Sequence, residues 1–138
     1  MLLLKAGMLM AQDSLPADSL LKKIRTAKED SNQVMMLFRY GELFEQSQPD
    51  TALLYYSKAK ALSEKLQYKK GLFTYCSYSI VILNNQGKFR EALDLCRQTA
   101  RLYEGSADKN DLAAIYINTG SEWQYLSDLA TAAANYIK

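Results

Sequence analysis

The sequence predicts an all-α fold, a solenoid of stacked helical hairpins. Ala52, Ala92 and Ala132 recur at intervals of 40 residues, and each opens an amphipathic helical run. Apolar residues in those runs fall three and four apart, the spacing of one face of an α-helix. Breaks at Ser47–Asp50, Asn85–Lys88 and Glu104–Asp108 separate the runs. A period between 20 and 50 residues is the mark of an array in which each unit is stabilised by stacking on its neighbours.

Residues 1–11 are apolar around Lys5 and end in Met10-Ala11 before Gln12-Asp13, which reads as the later part of a secretory signal cleaved after Ala11. That reading places the protein in the periplasm or outside the cell. The alternative is a cytoplasmic protein with an apolar start. No other segment approaches the roughly 20 apolar residues of a membrane span, so any anchor would lie in sequence beyond this chain.

Residues 14–30 form an N-terminal capping helix, with Leu20, Leu21, Ile24 and Ala27 on one face. Hairpin 1 covers 33–69. Its first helix carries Leu37, Tyr40, Gly41 and Phe44, and its second carries Ala52, Leu53, Tyr56, Ala59 and Leu62. Pro49 suits the first turn of that second helix, where its missing donor costs nothing. Hairpin 2 covers 70–107. Cys76, Ser79, Ile80 and Leu83 form the first stripe, and Phe89, Ala92, Leu93, Cys96, Thr99 and Leu102 the second. Gly87 closes the turn between them in the left-handed conformation that glycine adopts without strain. Hairpin 3 covers 109–138, with Tyr116, Thr119, Gly120 and Trp123 before the turn and Ala132, Ala133 and Tyr136 after it. The sequence stops where that last helix is half built, so a fragment of a longer protein is expected.

Composition narrows the function. The chain is 49% hydrophobic and 23% charged, a globular balance. A net charge of +2 with mixed signs gives no basic stripe, so nucleic acid is not an expected partner. Histidine is absent, which removes the commonest metal ligand and the base of Ser-His and Cys-His pairs. The carboxylate pairs Glu42/Glu45 and Glu91/Asp94 lie three apart like ordinary solvated helix positions, not across a cleft. No enzyme activity, cofactor or metal is expected. Cys76 and Cys96 fall on the interior stripes of one hairpin, and counting from the turn offsets them by one helical turn, about 5 Å. Buried thiols acting as small hydrophobes are expected, and a disulfide is the alternative that export would favour.

The spacing resembles that of tetratricopeptide repeats (TPR). Leu37-x3-Gly41-x2-Phe44 with Ala52-x6-Ala59 follows the family pattern. So does Cys76-x3-Ile80-x2-Leu83 with Gly87-x-Phe89-x2-Ala92-x6-Thr99, apart from Ile80 where the family has a small residue. Tyr116-x3-Gly120-x2-Trp123 with Ala132 follows it to the end of the sequence. The 40-residue period exceeds the family's usual 34. The resemblance implies a right-handed α-α superhelix whose inner surface is lined by the first helix of each hairpin. A narrower similarity, resting on the apolar start and Gln48-Pro49-Asp50-Thr51-Ala52-Leu53, is to the exported sensory TPR region of Bacteroidetes histidine kinases and transcriptional regulators.

Projecting the family's groove positions onto this sequence selects Met35, Phe38, Glu42 and Glu45 in hairpin 1, Thr74, Ser77, Val81, Asn84 and Asn85 in hairpin 2, and Ala114, Ile117, Ser121, Gln124 and Tyr125 in hairpin 3. Members that grip an acidic carboxy-terminal tail use Lys and Asn there. This chain has Phe38, Ser77 and Ile117, followed four residues on by Glu42, Val81 and Ser121. The implied function is therefore a non-catalytic protein-interaction scaffold, a sensory or regulatory module of a larger signalling protein. It would bind a protein or peptide segment, including the missing carboxy-terminal part of its own chain, through apolar contacts and amides. The alternative is a structural spacer or adaptor without a signalling output.

Overall fold

A computed structural model describes residues 17–104, together with Gln124 and Ser127. The expected leader (1–11) and hairpin 3 (109–138), Gln124 and Ser127 excepted, lie outside the described residues. Residues 17–104 form five helices: α1 (Ala17–Thr26), α2 (Ser31–Glu42), α3 (Pro49–Lys65), α4 (Lys69–Asn85) and α5 (Phe89–Tyr103). The described chain is all-α, without a strand, and each helix packs mainly on the next, the general arrangement of a helical repeat.

Local chemistry sets the boundaries. Asp30 caps α2, its Oδ1 accepting from the backbone N–H groups of Asn32 at 2.9 Å and Gln33 at 3.1 Å. Such a cap satisfies donors that the first helical turn cannot bond internally. Gln33 then donates from Nε2 to the Ile24 carbonyl at 2.9 Å, fixing the end of α1 against the start of α2. Pro49 opens α3. α2 begins two residues earlier than the apolar pattern suggested and stops at Glu42, leaving Phe44 in the turn region. Phe44 nonetheless keeps its packing on Tyr40, with ring centroids 5.2 Å apart.

Helices α3, α4 and α5 begin at Pro49, Lys69 and Phe89, each 20 residues after the last. The 40-residue period is thus two helix-turn units of equal length. Their closures match as well. Tyr68 N–H donates to the Ser63 carbonyl and Lys88 N–H to the Leu83 carbonyl, both at 2.8 Å. These are the six-to-one bonds of a Schellman ending, with Gln67 (φ 53°) and Gly87 (φ 71°) in its left-handed position.

Burial follows the interior stripes. Val34, Phe38, Ala52, Tyr56, Ala59 and Ile82 join Leu20 and Ile24 of α1 in one core. Cys76, Ile80, Leu83, Ala92, Cys96, Ala100 and Tyr103 form a second between α4 and α5. Leu102 departs from the pattern. It belongs to the expected stripe yet is 47% exposed. It stands at the lip of an outer cleft where α3 and α5 do not close together.

The α2–α3 crossing depends on Gly41. A Cβ there would sit 2.5 Å from Tyr56 Cε1 and 3.2 Å from the Ala52 carbonyl oxygen. Tyr56 is fully buried and has no space to retreat. Two substitutions with opposite steric sense follow. Gly41→Ala should destabilise by about 1–2 kcal/mol, overpacking outweighing the better helix propensity of alanine. Gln67→Gly should be neutral or stabilising by up to about 0.5 kcal/mol, because relief of the left-handed strain exceeds the added freedom of the unfolded chain. Urea unfolding of the two variants checks both signs.

Candidate interaction surface

Successive helices alternate sides, and the two sides are unequal. Helices α2 and α4 approach each other directly across the stack, whereas α3 and α5 make no comparable approach. The side formed by α2 and α4 is therefore the tighter, inner one. Tyr78 on α4 bridges it, its ring lying 5.6 Å from that of Phe38 on α2 and 5.4 Å from that of Tyr56 on α3. Phe38 and Tyr56 rings are themselves 5.7 Å apart. Each pair falls within the range in which aromatic rings attract beyond simple burial.

Carboxylates crown this cluster. Tyr56 Oη donates to Glu45 Oε1, and the Tyr78 hydroxyl lies near the Glu42 carboxylate. Both phenols are held protonated above their usual range. Burial is the larger cause, followed by the hydrogen bond to the carboxylate and its negative charge. Tyr78 is pushed up to about 12, with Arg39 pulling weakly the other way.

The expected groove residues divide. Ser77, Val81, Asn84 and Asn85 fall on one stripe of α4, and Glu42 of α2 stands near Tyr78 of the same helix as that stripe. Val81 is 48% exposed, Glu42 and Asn85 are exposed, and Ser77 and Asn84 are half-buried. Phe38 corrects the expectation. It is fully buried, because α2 is covered by α3 and α4 together, so it forms the floor of this face and is not available to a partner. Gln124 is helical and exposed. Ile117, Ser121 and Tyr125 lie outside the described residues. Sequence reasoning placed Glu45 among the groove positions but gave Tyr78 no part in this arrangement. The available signal was a tyrosine one position off the α4 stripe, poorly explained as core within its own hairpin.

The opposite side carries a cleft of about 200 Å³ where α3 and α5 splay over α4. Leu72, Tyr75, Leu95 and Leu102 line it, with Lys60 and Glu64 at its edge. Lys60 Nζ stands 5.3 Å from the Tyr75 ring centroid and 3.7 Å from Glu64 Oε1. The cleft is smaller than the roughly 300–1,000 Å³ of typical small-molecule sites. Among the described residues no group of three or more His, Cys, Asp or Glu could hold a metal ion, and no helix is long and apolar enough to cross a membrane. The chain matches no family model, no curated protein and no solved structure.

Tyr78 yields a pH prediction. Its folded pKa is raised, so the folded chain retains a proton that the unfolded chain gives up. The corresponding stability is fully present below about pH 10 and is lost as pH rises toward 12. Tyr78→Phe should therefore lose less stability than the parent across that window. Urea midpoints of both proteins measured from neutral to strongly alkaline pH test this, and identical slopes would place Tyr78 in solvent.

Proposed function

We propose that the chain is a non-catalytic protein-interaction module, a right-handed TPR-like solenoid that holds a peptide segment of a partner against the α2–α4 face. The observation that carries this reading is Val81. It is a large apolar side chain 48% exposed, set on one stripe between half-buried Ser77 and the exposed amide side chain of Asn85. Exposed apolar contact beside amide donors and acceptors suits a bound main chain and one apolar anchor. Glu42 and Glu45 give the face a negative edge, and Glu45 retains acceptor capacity beyond its bond from Tyr56. A segment with a Lys or Arg next to a large apolar residue matches that chemistry.

Within the same reading, the module belongs to an exported sensory or regulatory protein whose signalling output lies beyond this sequence. The TPR-like spacing and the apolar residues 1–11 support that part. A spacer without a partner of its own is the second reading. It is favoured by Phe38, which fills the floor of the expected groove and leaves the face shallow.

Selection of a displayed random peptide library on the full chain distinguishes them. Binders should be enriched in basic residues adjacent to large apolar ones. The double variant Val81→Asp with Asn85→Lys, at two exposed positions, should weaken them at least about tenfold, or about 1.4 kcal/mol, without shifting the urea midpoint. Leu102→Asp, on the outer cleft, should leave them unchanged. Peptides lost through Leu102→Asp but indifferent to the double variant would move the function to the outer side. Failure to enrich any peptide would favour the spacer.

A further inference from the structure

Cys76 on α4 and Cys96 on α5 face each other inside the second core. Their sulfurs are 3.9 Å apart, and the residues are 1% and 0% exposed. This is closer than the full-turn offset expected from counting along the hairpin. The pair is also held at both ends. On the turn side, Lys88 N–H bonds the Leu83 carbonyl at 2.8 Å. At the far end, the Tyr103 hydroxyl donates to the Lys69 carbonyl at 2.8 Å. The thiols thus sit midway along a hairpin whose two helices are fixed in register above and below them. Beside them lie Ile80, Ala92 and Ala100, which are apolar and offer no competing redox chemistry.

We propose that Cys76 and Cys96 are a cross-linking site, two thiols set to form an intramolecular disulfide that staples α4 to α5. The ring closed through positions 76–96 is local, so the covalent bond joins elements already neighbours in the chain and in space. A disulfide needs an S–S distance of about 2.05 Å, so the sulfurs must approach by about 2 Å, within reach of side-chain rotation and a small helix shift.

The oxidant is a low-molecular-weight disulfide such as oxidised glutathione. One cysteine thiolate attacks a glutathione sulfur, breaking its S–S bond and releasing one glutathione thiolate. The second cysteine thiolate attacks the protein sulfur of the mixed disulfide and releases the other glutathione. The two protons leave the cysteines and end on two glutathione thiols. The protein loses two electrons, and the glutathione disulfide gains them. Burial adds a kinetic consequence. Exchange requires α4 and α5 to part, so oxidation follows hairpin opening, and the finished bond is shielded from reductants.

The test equilibrates the full chain in glutathione redox buffers of graded composition, natively and in concentrated urea, followed by acid quench, thiol alkylation and mass spectrometry. The native chain should yield a monomer lighter by two hydrogens, with a cross-linked Cys76–Cys96 peptide. Its oxidised-to-reduced ratio at a given buffer should exceed that of the urea-unfolded chain at least about tenfold, because the fold raises the effective concentration of one thiol at the other. The isolated oxidised protein should also unfold at higher urea than the reduced one. Cys76→Ser and Cys96→Ser should each give only mixed disulfides or intermolecular dimers. A native ratio equal to or below the unfolded one, a product consisting of mixed disulfide alone, or an oxidised chain that unfolds at lower urea would each overturn the proposal.

Discussion

Three rings from three successive helices meet at one point, and the rest of the arrangement depends on that junction. Phe38, Tyr56 and Tyr78 come from α2, α3 and α4, with centroids 5.4–5.7 Å apart. A hairpin alone needs contact only between α2 and α3. It is Tyr78 that carries α4 across to α2 and makes a hairpin pair into a stack. Gly41 serves the same junction from below, since its missing Cβ is what lets Tyr56 lie against the α2 backbone. From above, Glu45 accepts from the Tyr56 phenol, so the polar end of this buried tyrosine is satisfied and the carboxylate is held in place, with Glu42 near the Tyr78 hydroxyl.

Unequal sides follow from the same contact. Drawing α2 and α4 together leaves α3 and α5 apart, which opens the outer cleft and exposes Leu102. The proposed peptide face and the outer cleft are thus two consequences of one packing choice. The exposed ion pairs, Lys60–Glu64 and Arg97–Asp94 at 3.7 Å and Lys65–Glu29, lie outside this logic; pairs of this kind contribute little to stability. Stapling α4 to α5 would act on the second core, distinct from the aromatic junction, and would stiffen the helix that carries Val81 without touching its exposed face.

The helical class and the interior stripes were legible in the sequence because both rest on local spacing. Leu37, Tyr40, Ala52, Tyr56, Cys76, Ile80, Ala92 and Cys96 are all buried at positions that period alone selects. The 40-residue register was legible too, but its division into equal 20-residue units was hidden. Gly87 announces a left-handed ending and Gln67, its counterpart one unit earlier, does not. The surface was less legible. Glu42, Val81 and Asn85 are exposed where a groove was expected, whereas Phe38 is sealed beneath Tyr78. That burial depends on a helix two elements away, and spacing within one hairpin carries no information about it.

A double-mutant cycle between Phe38 and Tyr78 bears most directly on this account. Phe38→Leu, Tyr78→Leu and the double variant, compared with the parent by urea unfolding, isolate the interaction between side chains on non-consecutive helices. A favourable coupling of about 0.5–1.5 kcal/mol is expected for rings in this geometry. Additive losses, with no coupling between the two sites, would mean that α2 and α4 do not meet, and the stacked arrangement with its inner face would fall with them.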